Sequence, residues 1–398
     1  MFDGADKISK GSQQLIKETN IRRIFKLVSI SDGISRAEIA NRTGLSPTTV
    51  STLAEELIFA GFIFEDGTGD IPTSGRKPIM LKVKPKGGCI IAADLQDNGY
   101  NLGLFDLNCC SISENFIVLP EYDNLGISML EEISKAIKKN GFQKVQLLGI
   151  CIGAPGIIDR KNNKIISSTI LPIDIKNDFY SVIQESYPGI RLELINESSL
   201  SAYAEKEFGK ITGNIDNLIY VDIHTGIGAG IIINGRMYEG SGSLAGEIGH
   251  ISVDINGPHC KCGSRGCLET LASIPALIAD IEHDTGFPPE FPNAGSLDER
   301  FRIIAEEYID NGEFSDEIQR MAKYIAYGIN NAVNLLNPGV VVIGGKATEL
   351  GEKFLWEVQK NMKTIGLDGN KDTPIRLSGF KGNPVTAGGA RHIFNIIF

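Results

Sequence analysis

The most restrictive feature of the sequence is a short run of soft donors. Glu247-Ile248-Gly249-His250 is followed, ten residues on, by Cys260-Lys261-Cys262-Gly263-Ser264-Arg265-Gly266-Cys267-Leu268-Glu269. One imidazole and three thiolates are the donors that tetrahedral zinc prefers. With His250, Cys260, Cys262 and Cys267 filling all four positions, no place is left for a reactive water, so such a zinc ties a loop down rather than hydrolysing anything. The competing reading is three unrelated thiols on one loop. The chain has 7 cysteines, an odd count, and three of them crowd into this segment, which points to a reducing cytoplasm with a metal site rather than a disulfide framework. Cys89, Cys109, Cys110 and Cys151 lack any ligand spacing and read as strand or core residues. No apolar run approaches the roughly 18–20 residues of a membrane helix, and Met1 to Lys10 carry no apolar signal core, so neither membrane insertion nor secretion is expected.

A chain of 398 residues has room for two or three domains at about 150 residues each. Its charge separates two regions. Residues 1–86 hold 13 basic and 10 acidic side chains, whereas the remainder holds 26 and 39, so a mildly basic head precedes an acidic body. That asymmetry leaves the head as the part suited to a polyanion.

The head reads as three helices and a wing. Ile21, Ile24, Phe25, Leu27 and Val28 recur at helical spacing between Ile16 and Ile30. Ser35-Arg36-Ala37-Glu38 is a capping box that opens a second helix, and Gly44 ends it. Ser46-Pro47 starts a third, with Val50, Leu53, Ala54, Leu57 and Ile58 turned inward. Its outward N-terminal face, Ser46, Thr48, Thr49, Ser51 and Thr52, offers short polar groups to phosphates or base edges. Helix, short glycine turn and helix is the layout of a helix-turn-helix, although any small three-helix bundle shares it. Phe62 to Phe64 and Ile79 to Leu81 add two strands around a Gly/Asp turn at Glu65 to Asp70. Arg76 and Lys77, between those strands, suit a narrow minor groove; the bland alternative is a solvated basic loop.

From Gly88 onward strands and helices alternate, and the pattern restarts. Cys89–Ala93, Leu102–Phe105 and Leu147–Ile152 read as strands of a first lobe, with a helix at Met129–Lys139. Leu218–Ile223, Gly230–Ile233 and Val340–Ile343 read as strands of a second, with a helix at Ile318–Leu336 and a closing helix after Ala387. Two α/β lobes built alike predict an actin-like, sugar kinase-type body with a cleft between them. Glu282 to Ser296 reads as an irregular surface loop. Three glycine segments follow strand ends: Gly153 to Gly156, Thr225 to Gly230 and Gly344-Gly345, where bare backbone admits a phosphate or a hydroxyl. Glu247 and Glu269 bracket the metal loop, and carboxylates accept paired hydrogen bonds from vicinal hydroxyls, as a sugar site requires.

These segments resemble the ROK family (repressors, open reading frames and sugar kinases), in particular its xylose-repressor-like transcriptional regulators. The resemblance covers nearly the whole chain and is carried by Thr225–Gly230, Glu247–His250 and Cys260–Glu269. It implies a winged helix-turn-helix domain at 1–86 and a two-lobed actin-like (ribonuclease H-like) body at 87–398, with lobe one about 87–197 plus 380–398 and lobe two about 198–379. It further implies sugar contacts from Gly153, Asn196, Glu197, Glu247, His250 and Glu269, structural Zn2+ on His250, Cys260, Cys262 and Cys267, operator DNA and a sugar effector as ligands, and a homodimer or homotetramer. Two departures from the family's kinases argue against phosphoryl transfer. Their Asp-x-Gly-Gly-Thr phosphate loop reads Asp94-Leu95-Gln96-Asp97-Asn98 here, with no glycine pair and an added carboxylate. The catalytic aspartate of their Asn-Asp pair is Glu197 here, one methylene longer. His224 stands where their second phosphate motif has glycine. The expectation is therefore a sugar-responsive repressor of carbohydrate-use genes; the alternative is an ATP-dependent sugar kinase with a regulatory head.

Overall fold

The computed structural model describes residues 5–68, 78–119, 122, 124–168, 170–171, 178–209, 215–284 and 295–398. Arg76 and Lys77 of the expected wing, and most of the expected Glu282–Ser296 loop, lie outside the described residues.

The first helix, α1 (Ala5–Ser29), starts well before the expected Ile16 but buries the expected face, Ile24, Phe25 and Val28. After β1 (Ile34–Ser35), helix α2 (Arg36–Thr43) is capped as its sequence dictates. Ser35 Oγ accepts from the Glu38 N–H, and Gly44, at φ +71°, donates to the Ala40 carbonyl. The return half of the capping box does not form, because the Glu38 carboxylate ion-pairs with Arg42 one turn on. Helix α3 (Pro47–Phe59) buries Val50, Leu53, Ala54 and Leu57, while Ile58 is only half-buried. Strands β2 (Ile63–Thr68) and β3 (Ile79–Val83) pair antiparallel, with β1 on the far edge of β3. The predicted turn at Glu65 is thus partly strand. Arg36 and Lys82 hold Glu65 and Asp66 against the sheet, and the irregular step falls where Gly67 adopts φ +58°.

Two five-stranded sheets follow. The first comprises β4 (Cys89–Gln96), β5 (Gly99–Phe105), β6 (Ser111–Val118), β7 (Leu147–Ala154) and, beyond a small hairpin of β8 (Ile157–Asp159) and β9 (Lys164–Ser167), β10 (Arg191–Asn196). Helices α4 (Leu125–Lys139) and α5 (Phe179–Ser186) cover one face, burying Met129, Ile133, Phe179 and Ile183. Helix α6 (Glu197–Phe208) crosses to the second sheet, made of β11 (Leu218–Ile223), β12 (Ile227–Ile233), β13 (Arg236–Met237), β14 (Val340–Gly345) and β15 (Ile375–Leu377). Its helices are α7 (Leu268–Ala272), α8 (Ile274–Asp284), α9 (Leu297–Asp310), α10 (Ser315–Leu336) and α11 (Gly351–Thr364); α12 (Pro384–Ile397) closes the chain. Strand orders are β10-β7-β4-β5-β6 and β13-β12-β11-β14-β15. In both, the first strand pairs antiparallel with the second and parallel with the fourth, so the two sheets share one topology.

Helices α6 and α12 pack on each other between the sheets. Glycine permits that crossing, since a Cβ on Gly388 would lie 2.0 Å from the Leu200 carbonyl oxygen; likewise β12 approaches α6 closely, where a Cβ on Gly230 would lie 2.0 Å from the Ser198 carbonyl oxygen. The far end of α12 meets the head. Phe25 of α1 stacks on Phe398 with centroids 3.9 Å apart, and Phe62 and Phe394 complete the cluster at 6.2 and 5.7 Å from Phe25. No described helix is long and apolar enough to cross a membrane.

Candidate functional site

A cleft of about 1030 Å³ runs between the two sheets and is lined by Pro155, Gly156, Asn196, Glu197, Glu247, His250 and Glu269 among others. Strand ends and loop turns deliver each of these. Asn196 ends β10 and caps α6: its Oδ1 accepts from the Ser199 N–H, and its Nδ2 donates to the Gly156 carbonyl at 3.1 Å. Both ends of the amide are therefore committed to shaping the wall. Glu197 opens α6 and faces the cleft beside Asp94 and Asp222. Glu269 starts α7 and accepts from the Ile227 N–H at 3.2 Å with one carboxylate oxygen, leaving the other for a ligand.

Gly153 is corrected by the structure. It lies inside β7, buried and away from the cleft, and a Cβ there would come within 2.2 Å of Val385 on α12. Its lack of a side chain serves helix packing; Pro155 and Gly156 are the residues of that segment on the cleft wall. The run Thr225 to Gly230 changes meaning in the same way. The turn is confined to His224–Gly226, whereas Gly228 and Gly230 belong to β12 and admit Ser198 of α6.

The electrostatics of the cleft floor are unusual. Asp94 is buried, and its Oδ2 accepts from Asn383 Nδ2 at 2.7 Å and Gln96 Nε2 at 2.8 Å. Burial outweighs those bonds and raises its pKa. Burial, then repulsion from Asp94, pushes Asp222 up to about 6, and burial followed by Asp222 and Asp94 raises Glu197 well above the usual carboxylate range. Glu247 is raised by burial as well. His224 is held below its ordinary value by burial, against the pull of Asp298 at 3.5 Å. Lys346 approaches Asp298 and Glu349 at 3.1 and 3.4 Å. Asp222, Asp298, Lys346 and Asn383 were not singled out from sequence. Asn383-Pro384 carried a readable signal, an N-cap residue before proline at the first helical position. The others become neighbours only through strand register and lobe packing.

The thiol loop forms beside the cleft. Ligand atoms of His250, Cys260, Cys262 and Cys267 all lie within 4.8 Å of one another. Cys262 Sγ and Cys267 Sγ are 3.6 Å apart, close to the roughly 3.8 Å that two thiolates ~2.3 Å from one tetrahedral metal would span. His250 turns Nδ1 toward Cys260 Sγ at 3.6 Å and Nε2 toward Glu247 Oε2 at 3.9 Å. The loop doubles back at Gly266, φ +58°, where a Cβ would lie 1.6 Å from the Asp254 carbonyl oxygen. These residues fit a tetrahedral metal in donor type and in spacing. Of the remaining cysteines, Cys89, Cys109 and Cys151 are buried as expected, but Cys110 is exposed.

On the head, the expected DNA-facing residues sit at the start of α3. Ser46 and Thr49 are partly spent on each other: Ser46 Oγ accepts from the Thr49 N–H and lies 2.8 Å from its hydroxyl. Thr48 and Thr52 are exposed, and Ser51 is half-buried.

A winged three-helix unit, two like-wound lobes and a cleft edged by a His/Cys cluster define an actin-like body carrying a helix-turn-helix head. The chain belongs to the ROK family, whose match spans residues 103–394. It is 31% identical to the xylose repressor of Caldicellulosiruptor bescii over 88% of each chain. It is 28% identical to the DNA-binding transcriptional dual regulator NagC of Escherichia coli, over 90% of this chain and 87% of that protein. Among solved structures, a ROK family transcriptional regulator described as a homologue of the E. coli MLC protein superposes with a TM-score of 0.80 at 24% identity, over 96% of each chain. A ROK hexokinase from Thermus thermophilus superposes at 0.64 and 24% identity, over 76% of this chain and 96% of that one.

Proposed function

We propose that the protein is a sugar-responsive DNA-binding repressor of carbohydrate-utilisation genes, acting in the cytoplasm as a homodimer or homotetramer. The observation that carries this reading is the breadth of the likeness to repressors: it extends over 88–90% of the chain, head included, rather than over the body alone. Residues 1–86 read operator DNA through Ser46, Thr48, Thr49, Ser51 and Thr52, with Arg76 and Lys77 on the wing. Residues 87–398 bind the effector.

Asn196, Glu197, Glu247, His250 and Glu269 hold sugar hydroxyls. His250, Cys260, Cys262 and Cys267 hold zinc, which supplies a fixed cross-link that keeps the His250 imidazole aimed at the ligand. Closure on the sugar moves lobe two against lobe one at the α6–α12 crossing. The aromatic cluster of Phe25, Phe62, Phe394 and Phe398 carries that motion to the head, and a change in head spacing spoils the fit to half-sites about 34 Å apart.

We read the cleft as catalytically silent. Phosphoryl transfer relies on positioned donors and metal around the phosphates, and here Gln96 and Asn383 occupy Asp94 while Glu197 replaces the base. A gel-shift titration on the promoter of the neighbouring transport genes, with and without sugars, tests the proposal. Sequence-selective binding that a sugar strengthens or releases supports it. No sequence preference at physiological salt, or sugar-dependent ADP release by the full chain, refutes it.

A further inference from the structure

We infer that the effector is a neutral oligosaccharide of at least two sugar units, lying through the cleft from the Glu247–Glu269 end toward Asp298 and Phe380. The inference rests on the sugar-binding reading above and names the ligand class of that same site. Three observations carry it.

The first is size. At about 1030 Å³ the cleft stands at the top of the ~300–1,000 Å³ range in which proteins seat whole drug-sized ligands, and one sugar ring fills only a fraction of it. The cavity is continuous from Asn196 and Glu247, past Asp222, to Asp298 and Phe380.

The second is charge. Among the described residues, 8 carboxylates and 1 lysine line the cavity. That lysine, Lys346, is already paired with Asp298 and Glu349. A nucleotide or a sugar phosphate entering here would meet repulsion from the ionised members of this set, and among the described lining residues no lysine is free to offset it. Hydroxyl groups suit such a lining in either protonation state, because each both donates and accepts, and a carboxylate accepts while a carboxylic acid also donates.

The third is unmet hydrogen-bonding capacity. Glu197 and Asp222 face the middle of the cavity and have no hydrogen-bond donor among the described residues. Both are half-buried and open onto the cavity, where their oxygens can take part in hydrogen bonds to a ligand. They sit just beyond the sugar end, where a glycosidic link and the hydroxyls of a second ring would pass. Farther along, Phe380 and Phe116 offer the apolar surface on which the carbon face of a ring can rest.

Isothermal titration of the full-length protein tests the inference. The probes are glucose, xylose and N-acetylglucosamine, their β-linked disaccharides (cellobiose, xylobiose, chitobiose), and glucose and N-acetylglucosamine 6-phosphates. One disaccharide is expected to bind at least about tenfold tighter than its own monosaccharide, with the phosphates weakest, and Phe380→Ala is expected to lower that disaccharide-to-monosaccharide ratio by about tenfold. A monosaccharide that binds as tightly as its dimer, or a ratio that Phe380→Ala leaves untouched, overturns the inference and leaves the sugar-sensor reading standing. A sugar phosphate as the tightest ligand also overturns it. If none of these sugars binds at all, the sugar-sensor reading falls together with the inference.

Discussion

The two lobes share a strand plan and have diverged at the same structural point. Asp94 in β4 pairs with Gly153 of β7, and Asp222 in β11 pairs with Gly344 of β14, so the two aspartates hold equivalent positions in their sheets. Both glycines are forced by packing: a Cβ on Gly153 would collide with Val385, and one on Gly344 would lie 1.9 Å from the Tyr220 hydroxyl oxygen. The turns that follow differ. Lobe one answers its aspartate with Gln96 and Asn383, whereas lobe two leaves Asp222 without a hydrogen-bond donor among the described residues. Lobe two also carries the thiol loop, and lobe one instead carries the contact to the head. A repeated strand plan thus keeps backbone geometry where packing demands it and carries different chemistry in the turns.

The largest expected effect lies in the thiol loop. Cys267 is fully buried, and Cys267→Ser should abolish stoichiometric zinc by elemental analysis and weaken sugar binding by ~100-fold or more, because His250 and Glu269 lose their anchor. Retention of full sugar affinity by the metal-free variant would break the link between loop and cleft.

Next comes the lobe-one contact with the head. Phe25 is completely buried among three other phenylalanines, so Phe25→Ala should cost about 3–5 kcal/mol of local stability. Limited proteolysis should then release the head while the body stays intact, and sugar should no longer alter DNA affinity. Unchanged sugar control in that variant would remove the aromatic cluster from the coupling.

A smaller effect separates the two aspartates directly. The folded state raises Asp222 from 3.8 to about 6, so it binds this proton more tightly than the unfolded chain does. Stability from this group is therefore full below about pH 4 and lost as pH rises through about 6. Asp222→Asn should raise the unfolding free energy at pH 8 by an amount on the order of 1–3 kcal/mol and change it little at pH 4. Asp94→Asn should give less than half that gain at pH 8, since relief of burial is offset by weakened bonds from Asn383 and Gln96. Equal gains from the two substitutions would show that the lobes handle their buried acids alike. Both are read by calorimetry across pH 4–8.

Much of the architecture is legible in the sequence. The caps at Ser35, Gly44 and Ser46 follow from local backbone chemistry, which depends on neighbours three or four residues away. The strands β4, β7, β11 and β14 are apolar runs with little alternative but burial. The polar edge strand β6 and the short β10 are not legible in the sequence, because neither carries a strong period. The wing strand β2 continued past Glu65 because Arg36 and Lys82, distant in sequence, neutralise what reads locally as a turn. Of the candidate site, the metal donors, Glu247 and Glu269 are visible as residue types in spaced motifs, whereas Asn196 and Glu197 follow only from the resemblance to the family.

What the sequence determined by itself was therefore the inventory: which helices start and stop where, which lobes repeat, and which donors sit close enough along the chain to share a metal. Tertiary structure decided what faces what. Gly153 left the cleft for a helix contact, Asp222 came to oppose Glu197 and Asp94, and the last phenylalanine reached Phe25 across nearly the whole chain. Capping and metal spacing are short-range and survive in one dimension. Repulsion among buried carboxylates and close helix crossings exist only once sheets and helices are brought together.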